Sequence, residues 1–266
     1  MMPGNLSVKS TAKAFLKPLW SQAIAAGAVL CACFVAELCV RELFAYTVST
    51  AVGFVAGAVF FIFITAPLIM GYILWLWRVT VLEDSPFTEM FLPFAERDSY
   101  TRTLSFVLAA VIRAVAVFAV VMLPYAIASV ASNPRFYEII GMTMPVWMLN
   151  IWIFKRFLLV LGTAVFVYVM LRNYLAPVIF AVGSNLTPSE AFYMAKEVGA
   201  DSFIAFVKLI FGFLGWLLCS VFIIPALYVL PYFSFSCIFH CRFAITRYNA
   251  GIKTKTYSYN PLGGYF

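Results

Sequence analysis

Three basic side chains, Arg113, Arg172 and Lys208, stand inside long apolar stretches of this chain. Arg172 is followed by Asn173 and lies in the middle of the run YVMLRNYLAPVIF. If such a stretch enters a lipid bilayer, each charge costs at least ~2.5–3.5 kcal/mol and needs a partner. Glu37 is the one acid that we place within a span, so the cations need backbone carbonyls, water or an anion from outside the chain.

Two interpretations of Arg113, Arg172, Lys208 and Asn173 stay open. In the first, carbonyl groups left free around Pro124 and Pro177 satisfy the cations, because proline cannot donate to the preceding turn. In the second, the four side chains line a cavity that binds an anionic group, such as a phospholipid headgroup or an anionic solute. Arg172 precedes Gly183 by eleven residues, roughly 16 Å along a helix, and this predicts a position near the bilayer centre.

The composition is that of an integral membrane protein. Of the 266 residues, 64% are hydrophobic and 11% are charged, and the mean hydropathy is +0.98. A soluble domain has about 25% charged residues, and so apolar a chain would expose large greasy patches in water. The net charge of +7 comes mostly from basic residues beside the apolar stretches, so we expect lipid rather than nucleic acid as the partner.

The apolar stretches predict an all-α polytopic bundle of about six transmembrane helices. The expected spans are residues 20–43, 48–77, 104–131, 151–182, 203–224 and 225–245. Pro225 and Pro231 predict a turn between the last two spans. We expect one membrane domain over 1–266, with a basic N-terminal segment (1–19), the bundle (20–247) and a tail (248–266).

The basic residues predict the orientation of the bundle. With the N-terminus inside, eleven Lys and Arg residues fall on the inner side and four on the outer side, as the positive-inside rule requires. Both termini are therefore expected to be cytoplasmic. Trp75 and Trp77 fall at an inner end, where an aromatic belt would place them. Lys9, Lys13 and Lys17 recur every four residues and predict a helix on the inner leaflet.

Two inner loops predict short amphipathic helices. In SPFTEMFLPF, Ser85 is a candidate N-cap and Phe87, Met90, Phe91 and Phe94 fall on one helical face. In TPSEAFYMAKEVG, Thr187 and Glu190 have the spacing of a capping box. These helices are either connectors or elements that dock on lipid or on a partner.

Motifs for catalysis are missing from the sequence. The single histidine, His240, shares a helical face with Cys237 and Cys241, which could seed a metal site or form a packed, non-ligating group. Glu37 and Arg41 are predicted to form an i, i+4 pair. No Walker, Rossmann or zincin pattern occurs. We therefore expect no enzyme, no cofactor, no metal and no structural disulfide among the six cysteines.

Several short motifs carry a family resemblance. They are APLIMGYILWLWR and MFLPF in the first half, and RNYLAPVIF, TPSEAF, FGFLGWLL and LPYFSFSCIFHCRF in the second. This pattern resembles a bacterial family of six-span membrane proteins known as domain of unknown function number nine hundred and seventy-five. Around Arg172 it is also similar to the membrane domain of glycerophosphodiester phosphodiesterases. The resemblance implies a polytopic protein of the bacterial inner membrane and supplies no catalytic residue.

Two hypotheses of function follow from these observations. In the first, the protein binds or moves an anionic or lipidic ligand through a cationic cavity within the membrane. In the second, it is a non-catalytic structural or interaction partner of a membrane complex, or a homo-oligomer, and its amphipathic loops are docking elements.

Overall fold

The computed structural model describes residues 5–82, 85–139, 141, 151–183, 185–219 and 223–255. All regular elements in these ranges are helices. The α-helices are α1 (Asn5–Leu16), α2 (Trp20–Thr47), α3 (Thr50–Phe60), α4 (Ala66–Leu82), α5 (Leu92–Ala95), α6 (Arg97–Ala131), α7 (Pro134–Ile139), α8 (Trp152–Arg172), α9 (Ala176–Val182), α10 (Pro188–Ala200), α11 (Phe203–Phe211), α12 (Leu214–Cys219) and α13 (Ile223–Lys255). Two 3-10 helices (Lys17–Leu19 and Phe87–Phe91) and one π-helix (Phe61–Thr65) join neighbouring α-helices.

Long apolar helical stretches dominate the structure. Within the described ranges, five of these stretches are long and apolar enough to cross a membrane: Val8–Thr47, Thr50–Leu82, Arg97–Ala131, Trp152–Val182 and Tyr228–Gly251. The all-α polytopic fold is thus confirmed, and the chain is a multi-pass membrane protein.

The segment predicted as the fifth span, residues 203–224, contains the short helices α11 and α12. Gly212 and Phe213 separate these helices, and residues 220–222 lie outside the described ranges. The predicted turn at Pro231 is wrong, because α13 continues through that residue.

The described chain forms two compact units. The larger comprises Met1–Leu108 with Tyr174–Phe266, and the smaller is Ala109–Asn173. In the smaller unit, Phe118 of α6 packs edge-to-face on Phe166 of α8, with ring centroids 5.5 Å apart. A Cβ on Gly162 would lie 3.2 Å from the Met122 sulfur, so α8 approaches α6 closely at this glycine.

In the larger unit, α2 and α3 form a tightly packed pair. A Cβ on Gly53 would lie 2.6 Å from the Arg41 carbonyl oxygen, and one on Gly57 would lie 3.3 Å from the Arg41 Cβ. Gly53 and Gly57, at the two ends of the sequence GFVAG, therefore permit close packing of α3 on α2.

The span that contains α3 and α4 is broken by a π-helix just before Pro67. The Ala66 N–H donates to the Phe61 carbonyl, five residues earlier. Pro67 has no N–H to offer the Phe63 carbonyl. The Tyr100 hydroxyl donates to that carbonyl instead, at 3.0 Å. A side chain of α6 thus satisfies a carbonyl that the proline leaves without its helical donor.

The loop after α4 folds back onto that helix. A Cβ on Gly71 would lie 1.9 Å from the Met90 carbonyl oxygen, so only glycine permits this approach. Met90 is fully buried, whereas Phe91 and Phe94 are exposed. The prediction of one shared apolar face is wrong here, since Phe87–Phe91 is a 3-10 helix and α-helical spacing does not apply to it.

Trp75 and Trp77 belong to the core of the larger unit and not to an exposed aromatic belt. Both indoles are buried, and the Trp75 Nε1 donates to the Ser85 carbonyl at 3.1 Å. The belt prediction for these two residues is therefore wrong.

The second predicted loop helix is confirmed as α10. The Thr187 hydroxyl accepts from the Glu190 N–H, and the Glu190 carboxylate accepts from the Thr187 N–H, which is a complete capping box. Phe192 of α10 stacks on Phe106, which in turn stacks on Phe180 of α9. These rings attach α10 to the larger unit.

Lys9 and Lys13 lie on α1, and Lys17 begins the 3-10 helix that follows it; the position of this segment on the inner leaflet stays a prediction. Val8, Ala12 and Leu16 form its buried face, and α1 packs against α13. Lys13 and Lys17 are exposed. The helix therefore packs against protein along its apolar face.

Candidate functional site

Arg172 and Asn173 end α8 in the smaller unit. The Arg172 guanidinium donates to the Tyr168 hydroxyl at 3.3 Å, and the Asn173 amide donates to the Val169 carbonyl at 2.8 Å. Both bonds run one turn back along the same helix. Both side chains are half-buried. The polar side chains at the end of α8 are thus partly satisfied by hydrogen bonds within their own helix.

Arg113 and Lys208 are exposed residues on different units. Arg113 lies on α6 in the smaller unit, and Lys208 lies on α11 in the larger unit. The role of Arg113, Arg172, Lys208 and Asn173 in ligand binding stays a prediction.

Other basic residues donate hydrogen bonds to carbonyls at helix ends. The Arg102 guanidinium donates to the Phe180 carbonyl at 2.7 Å and also to the Gly183 carbonyl. It lies over the Phe180 ring, 4.5 Å from the centroid. The last carbonyls of a helix lack intrahelical donors, so Arg102 caps the C-terminus of α9.

Two further cations cap helix C-termini in the larger unit. Arg242 donates to the Thr80 carbonyl in the last turn of α4. The Lys9 ammonium donates to the Gly212 carbonyl at 2.8 Å, directly after α11, and lies 4.2 Å from the Phe213 ring centroid. Carbonyl groups thus satisfy cations in this protein, but these cations are not the ones predicted from the sequence.

A cavity of about 270 Å³ lies beside Arg102 in the larger unit. Side chains from α4, α5, α6 and α9 line it. The polar lining consists of Arg78, Glu96, Ser99, Arg102 and Thr103. The apolar lining includes Met70, Leu74, Trp77, Leu92, Pro93, Phe180 and Val182. We call this space the arginine cavity.

The charges around the arginine cavity are partly compensated. The Arg78 guanidinium is 3.2 Å from a Glu89 carboxylate oxygen, with side-chain exposures of 40% and 26%. The Ser99 hydroxyl donates to the Glu96 carboxylate at 3.2 Å. Two guanidinium groups and one carboxylate line the cavity itself, so its lining carries one excess positive charge.

The polar lining lies at the start of α6. Ser99 and Thr103 belong to the first two turns of this helix, which begins at Arg97. A helix N-terminus carries a partial positive charge and favours anions. The arginine cavity therefore combines two guanidinium groups, one carboxylate and two hydroxyls with an apolar wall, close to the start of α6.

The acid within the first span has an unexpected partner. Arg41 pairs with Glu42 at 2.7 Å, and the Glu37 carboxylate accepts a hydrogen bond from the Thr65 hydroxyl at 3.0 Å. The predicted pair of Glu37 with Arg41 is therefore wrong.

His240 belongs to a buried hydrogen-bonded group. Its Nε2 lies 3.3 Å from the Tyr174 hydroxyl, which lies 2.7 Å from the Ser202 hydroxyl. The Tyr174 ring stacks on Phe206 with centroids 3.8 Å apart. Within the described ranges, no group of three or more His, Cys, Asp or Glu side chains could hold a metal ion. This arrangement is a packed polar group that joins the α8–α9 turn, α11 and α13.

Sequence patterns alone did not identify the arginine cavity. Arg78 and Arg102 count among the inner basic residues that predict orientation, and such residues occur beside most spans. The contact that singles out Arg102 joins it to the Phe180 carbonyl, 78 positions further along the chain. A pattern of local spacing cannot contain such information.

Comparisons with family models, with proteins of known function and with solved structures found no match for this chain.

Proposed function

We propose that this protein binds or moves an anionic lipidic ligand in the bacterial inner membrane, with both termini in the cytoplasm. In this proposal the anionic headgroup enters the arginine cavity. The family resemblance described above is part of the same proposal, since it implies a polytopic bacterial protein. The observation that carries the proposal is the pairing of Arg78 and Arg102 with an apolar wall in one cavity.

The lining fits an amphipathic anion better than a fully polar one. Arginine binds phosphate through a planar fork of donors, and Ser99 and Thr103 add hydroxyl groups on the same side. Leu92, Pro93 and Val182 offer apolar contact of the kind that the start of an acyl chain would make. Ligand sites typically combine a mostly apolar wall with a few convergent polar groups.

The orientation supports a ligand from the inner leaflet. The positive-inside rule assigns Arg78 and Arg102 to the inner side of the membrane. The inner leaflet carries anionic lipids, which attract basic residues near its surface. The headgroup of such a lipid would meet the arginine cavity without crossing the hydrocarbon core.

Arg78 and Glu89 provide the test of this proposal. Arg102 is unsuitable, because its guanidinium also caps α9. Arg78→Gln removes a cation from the lining, and Glu89→Gln removes the acid that partly neutralises Arg78. A hydrogen bond to a charged group is worth ~1.5–3 kcal/mol, so we expect Arg78→Gln to weaken binding of phosphatidylglycerol by about tenfold or more.

The matched variant Glu89→Gln separates ligand binding from stability. Both variants break the same half-exposed ion pair, which is worth at most ~1 kcal/mol. A purely structural pair predicts the same effect from both. We expect opposite effects, with Glu89→Gln binding the lipid more tightly than the wild type. Native mass spectrometry of the purified protein with phosphatidylglycerol, and with phosphatidylcholine as the zwitterionic control, measures both. Equal lipid affinity in all three proteins would contradict the proposal.

A further inference from the structure

One carboxylate, that of Glu96, lines the arginine cavity together with its basic and hydroxyl groups. Glu96 stands between the end of α5 and Arg97, the first residue of α6. Its backbone is extended, and its carbonyl accepts the Tyr100 N–H at 3.0 Å. These are the features of an N-cap residue, so the start of α6 fixes Glu96 at the edge of the cavity.

A neighbouring side chain of the same lining holds the Glu96 carboxylate. The Ser99 hydroxyl donates to its Oε2 at 3.2 Å. Arg102 follows Ser99 by three residues and therefore lies on the same face of α6. Glu96 is exposed, whereas Ser99 and Arg102 are half-buried. This face of the lining thus runs from a carboxylate at its exposed end to a guanidinium about 9 Å further along the helix axis.

The two arginines of the lining have other partners than Glu96. Arg78 pairs with Glu89 at 3.2 Å, and the Arg102 guanidinium donates to carbonyls at the end of α9. Among the residues that the structure describes, no Lys or Arg forms an ion pair with Glu96. Its carboxylate can accept further hydrogen bonds beside the one from Ser99. A ligand in the cavity therefore meets guanidinium donors and a carboxylate acceptor in the same space.

We propose that Glu96 selects the headgroup that the arginine cavity accepts: a phosphodiester with one negative charge and a hydroxyl donor, as in phosphatidylglycerol. This inference rests on the proposed function and names the chemical class of its ligand. Arg78 and Arg102 bind the phosphate, and Glu96 accepts a hydrogen bond from a headgroup hydroxyl on the exposed side. Glu96 is thus a specificity-determining residue of the cavity.

Charge selects against a phosphate monoester such as phosphatidic acid. The lining carries one excess positive charge, which a phosphodiester with one negative charge balances. A phosphate monoester carries about −1.5 to −2 charges at pH 7 and adds negative charge beside Glu96. Like charges repel each other more strongly in a partly buried site than in water. Phosphatidic acid also lacks the glycerol hydroxyls that would donate to the carboxylate.

Glu96→Gln tests this inference, because it removes the charge and keeps an oxygen that accepts from the Ser99 hydroxyl. Native mass spectrometry of the full-length protein can compare phosphatidylglycerol, phosphatidic acid and phosphatidylcholine. We expect the wild type to bind phosphatidylglycerol more tightly than phosphatidic acid. Glu96→Gln should reduce this preference about tenfold, since a charge-assisted hydrogen bond to one lipid and a repulsion of the other are both lost.

Two further variants make the result specific. Asp98→Asn removes the same charge from the first turn of α6, but Asp98 is exposed and does not line the arginine cavity. Because salt screens exposed charges, this variant should leave the preference unchanged within about twofold. Glu96→Asp keeps the charge on a shorter side chain and should still reject phosphatidic acid. Equal effects of Asp98→Asn and Glu96→Gln would overturn the inference, since the overall charge of this surface would then explain both.

The outcomes separate this inference from the proposed function. If both anionic lipids bound more tightly than phosphatidylcholine and Glu96→Gln left their ratio unchanged, the role of Glu96 would be overturned and the proposed function would stand. If neither anionic lipid bound more tightly than phosphatidylcholine, both would fail. Glycerophosphoglycerol, the same headgroup without acyl chains, should not displace the lipid, because it has nothing to place against Leu92 and Pro93. Displacement at equal concentration would contradict a lipidic ligand and leave the selection by Glu96 intact.

Discussion

Gly71→Ala tests the close contact on which one wall of the arginine cavity depends. A Cβ at this position would lie 1.9 Å from the Met90 carbonyl oxygen and 2.9 Å from the Pro93 Cδ. The nearest obstacle is backbone, so the 3-10 helix after α4 must move. Overpacking costs ~1–3 kcal/mol and occasionally more. Replacing glycine by alanine within a helix stabilises it by up to ~1 kcal/mol, because alanine has the higher helix propensity. We therefore expect a net loss of about 2 kcal/mol in the free energy of unfolding.

Gly215→Ala is the matched control for this prediction. A Cβ at Gly215 would meet nothing within 4 Å, so only the propensity gain applies and stability should stay equal or rise by up to ~1 kcal/mol. Equilibrium unfolding in detergent micelles measures both variants against the wild type. If Gly71→Ala were as stable as Gly215→Ala, the loop after α4 would not pack on Gly71, and our description of this wall would be refuted.

The remaining predictions concern single side chains. Trp75→Phe should lower stability by ~1–3 kcal/mol in the same unfolding assay, because the buried Ser85 carbonyl loses its indole donor; an unchanged value would contradict that bond. Hydrogen bonds from the backbone N–H and the hydroxyl of Thr187 hold the pKa of Glu190 below its ordinary 4.5. The capping box should therefore protect the first turn of α10 above pH 4.5 and lose this effect as pH falls below the lowered pKa, which hydrogen exchange against Thr187→Ala can follow. Arg172→Met should change the free energy of unfolding in detergent by less than ~0.5 kcal/mol, since the exposed hydrogen bond from Arg172 to Tyr168 is weak. A larger loss of stability would show that Arg172 has a structural role.

Local features of the fold could be predicted from the sequence. Apolar runs marked the membrane-spanning helices, and Thr187 with Glu190 marked the start of α10. In each of these patterns, the residues that carry the signal lie close together in the sequence. The break before Pro67 follows equally from the missing N–H of proline.

Contacts between distant segments could not be predicted in this way. The burial of Trp75 depends on the Ser85 carbonyl in a loop that folds back onto α4. The cap of α9 depends on Arg102, whose partner Phe180 lies 78 residues further along the chain. The sequence predicts that carbonyls freed around Pro177 bind Arg172, which lies five residues earlier. Tertiary packing instead places the guanidinium of Arg102 against the carbonyls at the end of α9.

The most direct test of the central claim is photocross-linking with an anionic lipid whose headgroup carries the photoreactive group. We expect cross-links on the peptides that contain Trp77 and Ser99 in the full-length protein in bilayers, with reduced yield in Arg78→Gln and increased yield in Glu89→Gln. Cross-links confined to the peptide that contains Arg172, with equal yields in both variants, would contradict binding in the arginine cavity.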